Sequence, residues 1–207
     1  MATIKPFRGF RPSGHADKIA CPPYDVLNSA EARQMAAGND YSFLHVDKPE
    51  IDLPEDTDLY APEVYQKAKE NLERFIQIGV LKQDEKDCFY LYAQTMNGRT
   101  QYGLVAAASC DEYDKGIVRK HELTRKDKEE DRTRHIAALS ATTGPVFLTY
   151  PDRADINAKI AEIAAEFPVY DFTTEDGIRH EFWVIDAPAD IKFLMDAFEQ
   201  IPTLYIA

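Results

Sequence analysis

The sequence predicts an α+β fold with a mainly antiparallel or mixed sheet, built from hairpins with flanking helices. Three observations carry that expectation. Asn97-Gly98 separates two apolar runs, Cys88 to Thr95 and Thr100 to Cys110, and Asn-Gly readily takes the positive φ of a tight turn. Glu175-Asp176-Gly177 separates a second pair, Val169 to Thr173 and His180 to Ile185. Helical spacings lie between the strands, and no GxGxxG or GxxxxGK[ST] follows any of them, which argues against the doubly wound nucleotide-binding folds.

Taken in order, Ile4 to Phe10 is expected as a first strand and Ile19 to Cys21 as another short one. Pro22-Pro23 lacks backbone donors and forces an extended turn. Asn28 or Ser29 can cap a helix running to Ala37, which Gly38-Asn39 ends. Ser42 to Val46 reads as a strand, and the acidic, proline-containing stretch Asp47 to Tyr60 as a surface loop. Pro62 to Ile78 is the clearest helix, because Val64, Ala68, Leu72, Phe75 and Ile76 recur at spacings that draw one apolar stripe. Gly79 suits its C-terminus. Beyond the first hairpin, Ile117-Val118 is expected as a strand and Lys126 to Ser140 as a helix with Ile136 and Leu139 inward. Val146 to Tyr150 reads as a buried strand, Ala154 to Glu166 and Asp190 to Gln200 as helices, and Thr203 to Ala207 as a final strand.

A chain of 207 residues holds one large or two small domains, and this one is read as a single compact unit. Its 44% hydrophobic content is enough for a core. A net charge of −12 disfavours bulk attraction to nucleic acid or anionic lipid, so neither nucleic acid nor a membrane is an expected partner. No apolar run reaches membrane-spanning length, and the N-terminus has no signal-like apolar core. Cys21, Cys88 and Cys110 are unclustered, which suits reduced thiols in a cytoplasmic protein, with Cys88 and Cys110 as small core residues. The histidines and cysteines share no ligand spacing, so no metal site is expected.

Polar chemistry concentrates between Arg119 and His135. His121, Glu122 and Thr124 lie close enough in sequence to converge at the end of the Ile117-Val118 strand. His acts as acid or base near neutral pH, and Glu can act as a base where burial raises its pKa. Arg119, Lys120, Arg125 and Lys126 can hold phosphate, Arg by bidentate contacts. Lys128, Glu129 and Glu130 read instead as a solvated face, whereas His121, Glu122, Asp131, Arg132 and His135 stand evenly between a site and a salt-bridged helix. In Cys21-Pro22-Pro23-Tyr24-Asp25 the prolines aim Tyr24 and Asp25, although Asp in such a place commonly just caps a turn. Thr142-Thr143-Gly144-Pro145 is a hydroxyl-rich turn that can offer donors to an anion. His180 reads as a satisfied strand histidine and Trp183 as core.

The ordered set IKPFRGFRP, CPPYDVL, KHELT, DRTRH, TTGPVFLTY and RHEFWVI resembles the bacterial and archaeal proteins called domain of unknown function 1015, over essentially the whole chain. Thr142 departs from the Asn associated with the family before Gly144-Pro145. The resemblance implies a longer protein in which a strand like PTLYIA leads into an Asp-Gly-His-His-Arg motif, so the chain reads as an N-terminal portion, inactive alone. That motif is similar to the phosphate-binding element of ParB, sulfiredoxin and free-serine-kinase folds. On this resemblance the expected function is phosphate handling, as a kinase or phosphotransferase acting on a small hydroxylated metabolite such as serine. A nucleotide with Mg²⁺ is the cofactor such chemistry uses. Glu122, His121 and Asp25 are the expected catalytic residues; Arg132, His135, Asp131, Tyr24, Thr124 and Thr143 are the expected contacts to a phosphorylated metabolite or nucleotide. The alternative is a non-catalytic, nucleotide-gated binding or regulatory module.

Overall fold

The computed structural model of the chain describes residues 1–121 and 124–207. In chain order these begin with strands Ile4–Lys5 (β1) and Phe10–Pro12 (β2) and helices Ala16–Ile19 (α1), Ser29–Ala36 (α2) and Leu44–Asp47 (α3). A 3-10 turn at Pro49–Asp52 and the long helix Pro62–Gln77 (α4) come next. Leu81–Gln83 (β3), Phe89–Met96 (β4), Arg99–Val105 (β5) and Ala107–Ala108 (β6) follow, then Cys110–Asp114 (α5), Val118–Arg119 (β7) and Lys126–Leu139 (α6). Leu148–Thr149 (β8), Ala154–Ala164 (α7), Tyr170–Thr173 (β9), Arg179–Ile185 (β10), Pro188–Phe198 (α8) and Leu204–Ile206 (β11) complete the order. The fold is α+β, with several small sheets that are mostly antiparallel or mixed. By their contacts the residues gather into two compact units. Unit 1 comprises Met1–Phe10, Gln83–Leu123 and Val146–Ala207; unit 2 comprises Arg11–Lys82 and Thr124–Pro145.

Unit 1 is built on an antiparallel sheet of order β5-β4-β10-β9. Asn97 and Gly98, at φ 52 and 75, make the turn between β4 and β5. Alternation then sets the two faces. Phe89, Leu91 and Ala93 of β4 and Trp183 and Ile185 of β10 enter a core shared with Ile156 of α7 and Leu194, Ala197 and Phe198 of α8. The opposite face carries rings: Tyr90 stacks on Phe182 at 5.5 Å, and His180 lies between Tyr92 and Phe172. At the edge of this face the Gly9 N–H donates to Tyr90 Oη at 2.7 Å. A Cβ on Gly9 would stand 2.8 Å from that oxygen, so any larger residue would force the Tyr90 phenol to shift. A three-stranded mixed sheet, β7-β11-β8, and the β1-β6 pair complete the unit's strands.

Unit 2 is helical. Asn28 and Glu31 cap α2 reciprocally: Asn28 Oδ1 accepts from the Glu31 N–H and Glu31 Oε2 from the Asn28 N–H. Ala68, Leu72 and Phe75 of α4 form one core with Ile19, Val46, Leu81 and Leu139. Ala32, Ala36, Leu44 and Ile51 form a smaller one. Asn71, buried on α4, donates to the His45 carbonyl and to Asp52 Oδ2, which ties α3 and the 3-10 turn to the long helix.

Several expected elements change. The strand expected at Ile4 to Phe10 is broken; Pro6 has no N–H to offer, and beyond it Phe7 makes only an isolated bridge to Cys88. Ile19, expected in a strand, ends α1. Ser42, Leu44 and Val46 are buried alternately, which mimics a strand, yet the segment turns into α3 because its apolar side chains face helix α4 and the small core rather than a sheet. The expected loop at 47–60 contains the 3-10 turn, with Glu50 and Ile51 buried. On α6 the inner residues are His135 and Leu139; Ile136 is exposed. Ile76 likewise lies at the surface, while Tyr65 and Asn71 join the inner face of α4. Only Leu148–Thr149 of the expected 146–150 strand pairs, and Val146 and Phe147 are exposed. Cys110 is exposed rather than core.

Candidate functional site

Helix α6 brings charge into unit 2. Its first turns are solvated, as expected for Lys128, Glu129 and Glu130. Asp131 and His135, four residues apart, then share one face, and α6 packs along α4. There the phenol of Tyr65, on α4, donates to Asp131 Oδ1 at 2.8 Å. Asp131 Oδ2 accepts from Arg132 Nε at 2.9 Å and Nη2 at 2.7 Å. The Arg132 guanidinium also lies 4.1 Å from the centre of the Tyr24 ring. Arg132 is thus held by a carboxylate along one edge and by an aromatic face, with Nη1 outside that pair. An arginine fixed in this way is preorganised for a planar or tetrahedral anion. Burial and the bond to Asp131 push the Tyr65 phenol up to about 12, so it stays a donor.

Beside this assembly lies a buried polar group of mixed character. His135 is 2% exposed and its Nε2 stands 3.0 Å from the Val46 carbonyl oxygen. A carbonyl only accepts, so Nε2 carries the proton and Nδ1 is the acceptor nitrogen. Burial holds this imidazole below its usual pKa. Asp47, at the end of α3, is pushed above the usual carboxylate range by burial, against the opposing influence of Thr143, His135 and Arg132. Its Oδ1 is buried without a hydrogen-bond partner. Burial and the neighbouring Asp47 raise the Cys21 thiol to about 12, so Cys21 is not a thiolate nucleophile.

Of the residues singled out from sequence, the structure brings together Tyr24, Asp131, Arg132, His135 and Thr143, all in unit 2. Asp25 and Thr124 are exposed. His121 belongs to unit 1 and is exposed. Glu122 lies outside the described residues. Of the other expected phosphate ligands, Arg119 lies over the Tyr205 ring, Lys120 over Tyr113, and Arg125 pairs with Asp127 at 2.7 Å. Sequence reasoning missed Asp47, Tyr65 and Cys21 as members of the cluster. Tyr65 had a signal, since it follows Val64 on the apolar stripe with a hydroxyl to satisfy; Asp47 had none, being one acid in an acidic stretch.

His180 is satisfied within its sheet, 2.6 Å from Tyr92 Oη and 3.1 Å from Thr174 Oγ1. Trp183 is core and donates to the Glu166 carbonyl. Among the described residues no three His, Cys, Asp or Glu side chains are placed to hold a metal ion together, and no helix is long and apolar enough to cross a membrane. The family described as "Protein of unknown function (DUF1015)" matches residues 4–207. No curated protein and no solved structure matches.

Proposed function

The chain belongs to the DUF1015 family, and from that premise and the fixed guanidinium of Arg132 we propose that unit 2 binds the phosphate of a small phosphorylated metabolite or nucleotide. The observation that carries this reading is the chain Tyr65–Asp131–Arg132–Tyr24, which orients one cation at no further entropic cost to the ligand. Thr143 adds a hydroxyl near Asp47. The reading extends to a kinase- or phosphotransferase-like activity on a hydroxylated metabolite such as serine, with a Mg²⁺–nucleotide as phosphoryl donor and a distant kinship to ParB, sulfiredoxin and free-serine-kinase proteins. The net charge of −12 supports a small anion held by a local cation over a nucleic acid spread across the surface.

The test is the melting temperature of the chain with inorganic phosphate, phosphoserine and Mg²⁺–ATP. Ligand at about 100 times its Kd adds roughly 2.7 kcal/mol to stability. At least one of these ligands raises the midpoint, and Arg132→Ala removes the rise. No shift with any of them at millimolar concentration counts decisively against the reading. The exposure of Asp25 and His121 favours, as a second reading, a module that binds phosphate without turning it over. Binding without transfer of phosphate from nucleotide to serine would select it.

A further inference from the structure

Asp47 Oδ1 is one of two side-chain atoms among the described residues that are buried without a hydrogen-bond partner. Such an atom costs about 1–3 kcal/mol and calls for a reason. Thr143, His135 and Arg132 are the polar side chains whose influence on this carboxyl group opposes that of burial. His135 does not supply the missing donor, because its Nε2–H goes to the Val46 carbonyl. The neighbouring Cys21 is a weak donor at best. An acceptor short of a donor thus stands in the same group of side chains as an oriented cation whose Nη1 lies outside its carboxylate pair.

We propose that the ligand of this site carries both an anionic group, taken by Arg132, and a hydroxyl or ammonium donor, taken by Asp47. This rests on the phosphate-binding reading and narrows it to donor-bearing phosphates. Oδ1 is closed to solvent, so the donor reaches it only as the surrounding side chains yield. The juxtaposition makes Asp47 a discriminating residue: it distinguishes a bare anion from an anion with a donor attached.

The experiment compares three probes that share one anion. Methyl phosphate has no donor, glycerol 3-phosphate offers hydroxyls, and O-phosphoethanolamine offers an ammonium. Binding is measured by calorimetry on the whole chain and on Asp47→Asn, Asp47→Ala and Arg132→Ala. One donor-bearing probe binds at least about tenfold more tightly than methyl phosphate to the unaltered chain, the value of one hydrogen bond to a charged group. In Asp47→Ala, which removes the acceptor, that preference collapses toward unity, and in Asp47→Asn, which keeps an acceptor oxygen but loses the charge, it falls; Arg132→Ala weakens all three probes alike. A purely structural role for Asp47 would change all affinities together and leave their ratio unchanged, which overturns the inference. Equal binding of the three probes by the unaltered chain overturns it too and leaves phosphate binding standing. Binding of none overturns both.

Discussion

His135 shows how a single residue on a polar helix can be structural and chemical at once. Helix α6 has few apolar side chains, and at its inner face an imidazole occupies a place where a leucine would pack. The ring is retained with its Nε2–H on the Val46 carbonyl, so His135→Leu leaves that carbonyl unmet and costs about 1–3 kcal/mol at neutral pH. The pH dependence follows from the lowered pKa. Below the unfolded value of 6.5 the unfolded chain takes up a proton that the folded chain resists, so this contribution is complete above 6.5 and declines as pH falls toward the folded pKa. The stability difference between the unaltered chain and His135→Leu, read from urea midpoints, therefore narrows between pH 7 and pH 5. A difference that is constant or widens over that range would show that His135 is not buried as the neutral ring. Arg132 and His135 were legible as candidates because charge and imidazole cluster in the sequence. The pairing of Asp131 with Tyr65 was not, because the two are 66 residues apart and only tertiary packing brings them together.

At the scale of elements, the parts legible in the sequence are those whose signal is local. The turn at Asn97-Gly98 is fixed by two residues that tolerate positive φ, and the pairing of Leu91 with Leu104 and of Tyr92 with Gly103 follows from it. Gly98→Ala places a Cβ at φ 75, where an L-residue costs about 1–2 kcal/mol, while no atom within 4 Å crowds the position. The loss is therefore conformational, and it appears in a denaturant titration as a lower midpoint at unchanged slope. Gly9→Ala differs in kind, since its added methyl meets the Tyr90 phenol and disturbs the Gly9–Tyr90 bond. No loss of stability in Gly98→Ala would mean that the turn is not of this type. Segments 19–21 and 42–46 misread as strands for the opposite reason: each is short, apolar and too brief to display a period, so its conformation is decided by the helices it packs against.

At the scale of the molecule, unit 2 is assembled from two separate stretches, 11–82 and 124–145, and no local pattern in the sequence announces that they belong together. Their union has a physical basis in α6, which lays Leu139 among Ile19, Val46, Ala68, Leu72, Phe75 and Leu81 and gives the Val46 carbonyl its donor. A buried leucine contributes about 1.5–3 kcal/mol and the hydrogen bond about 1 kcal/mol, a large share of the ~5–15 kcal/mol that holds a domain folded. A polypeptide limited to residues 11–82 retains α4 and the capped α2 but lacks both contributions and exposes the inner face of α4. It is expected to keep helical far-ultraviolet circular dichroism, lose near-ultraviolet signal and bind a hydrophobic dye, the signs of secondary structure without fixed packing. Joining residues 124–145 to it through a flexible linker restores the near-ultraviolet signal and a cooperative thermal transition. If residues 11–82 alone melt as sharply as the whole chain and bind no dye, α6 is a decoration on unit 2 rather than part of its core, and the Tyr65–Asp131–Arg132 arrangement would lose the rigid support that its proposed role requires.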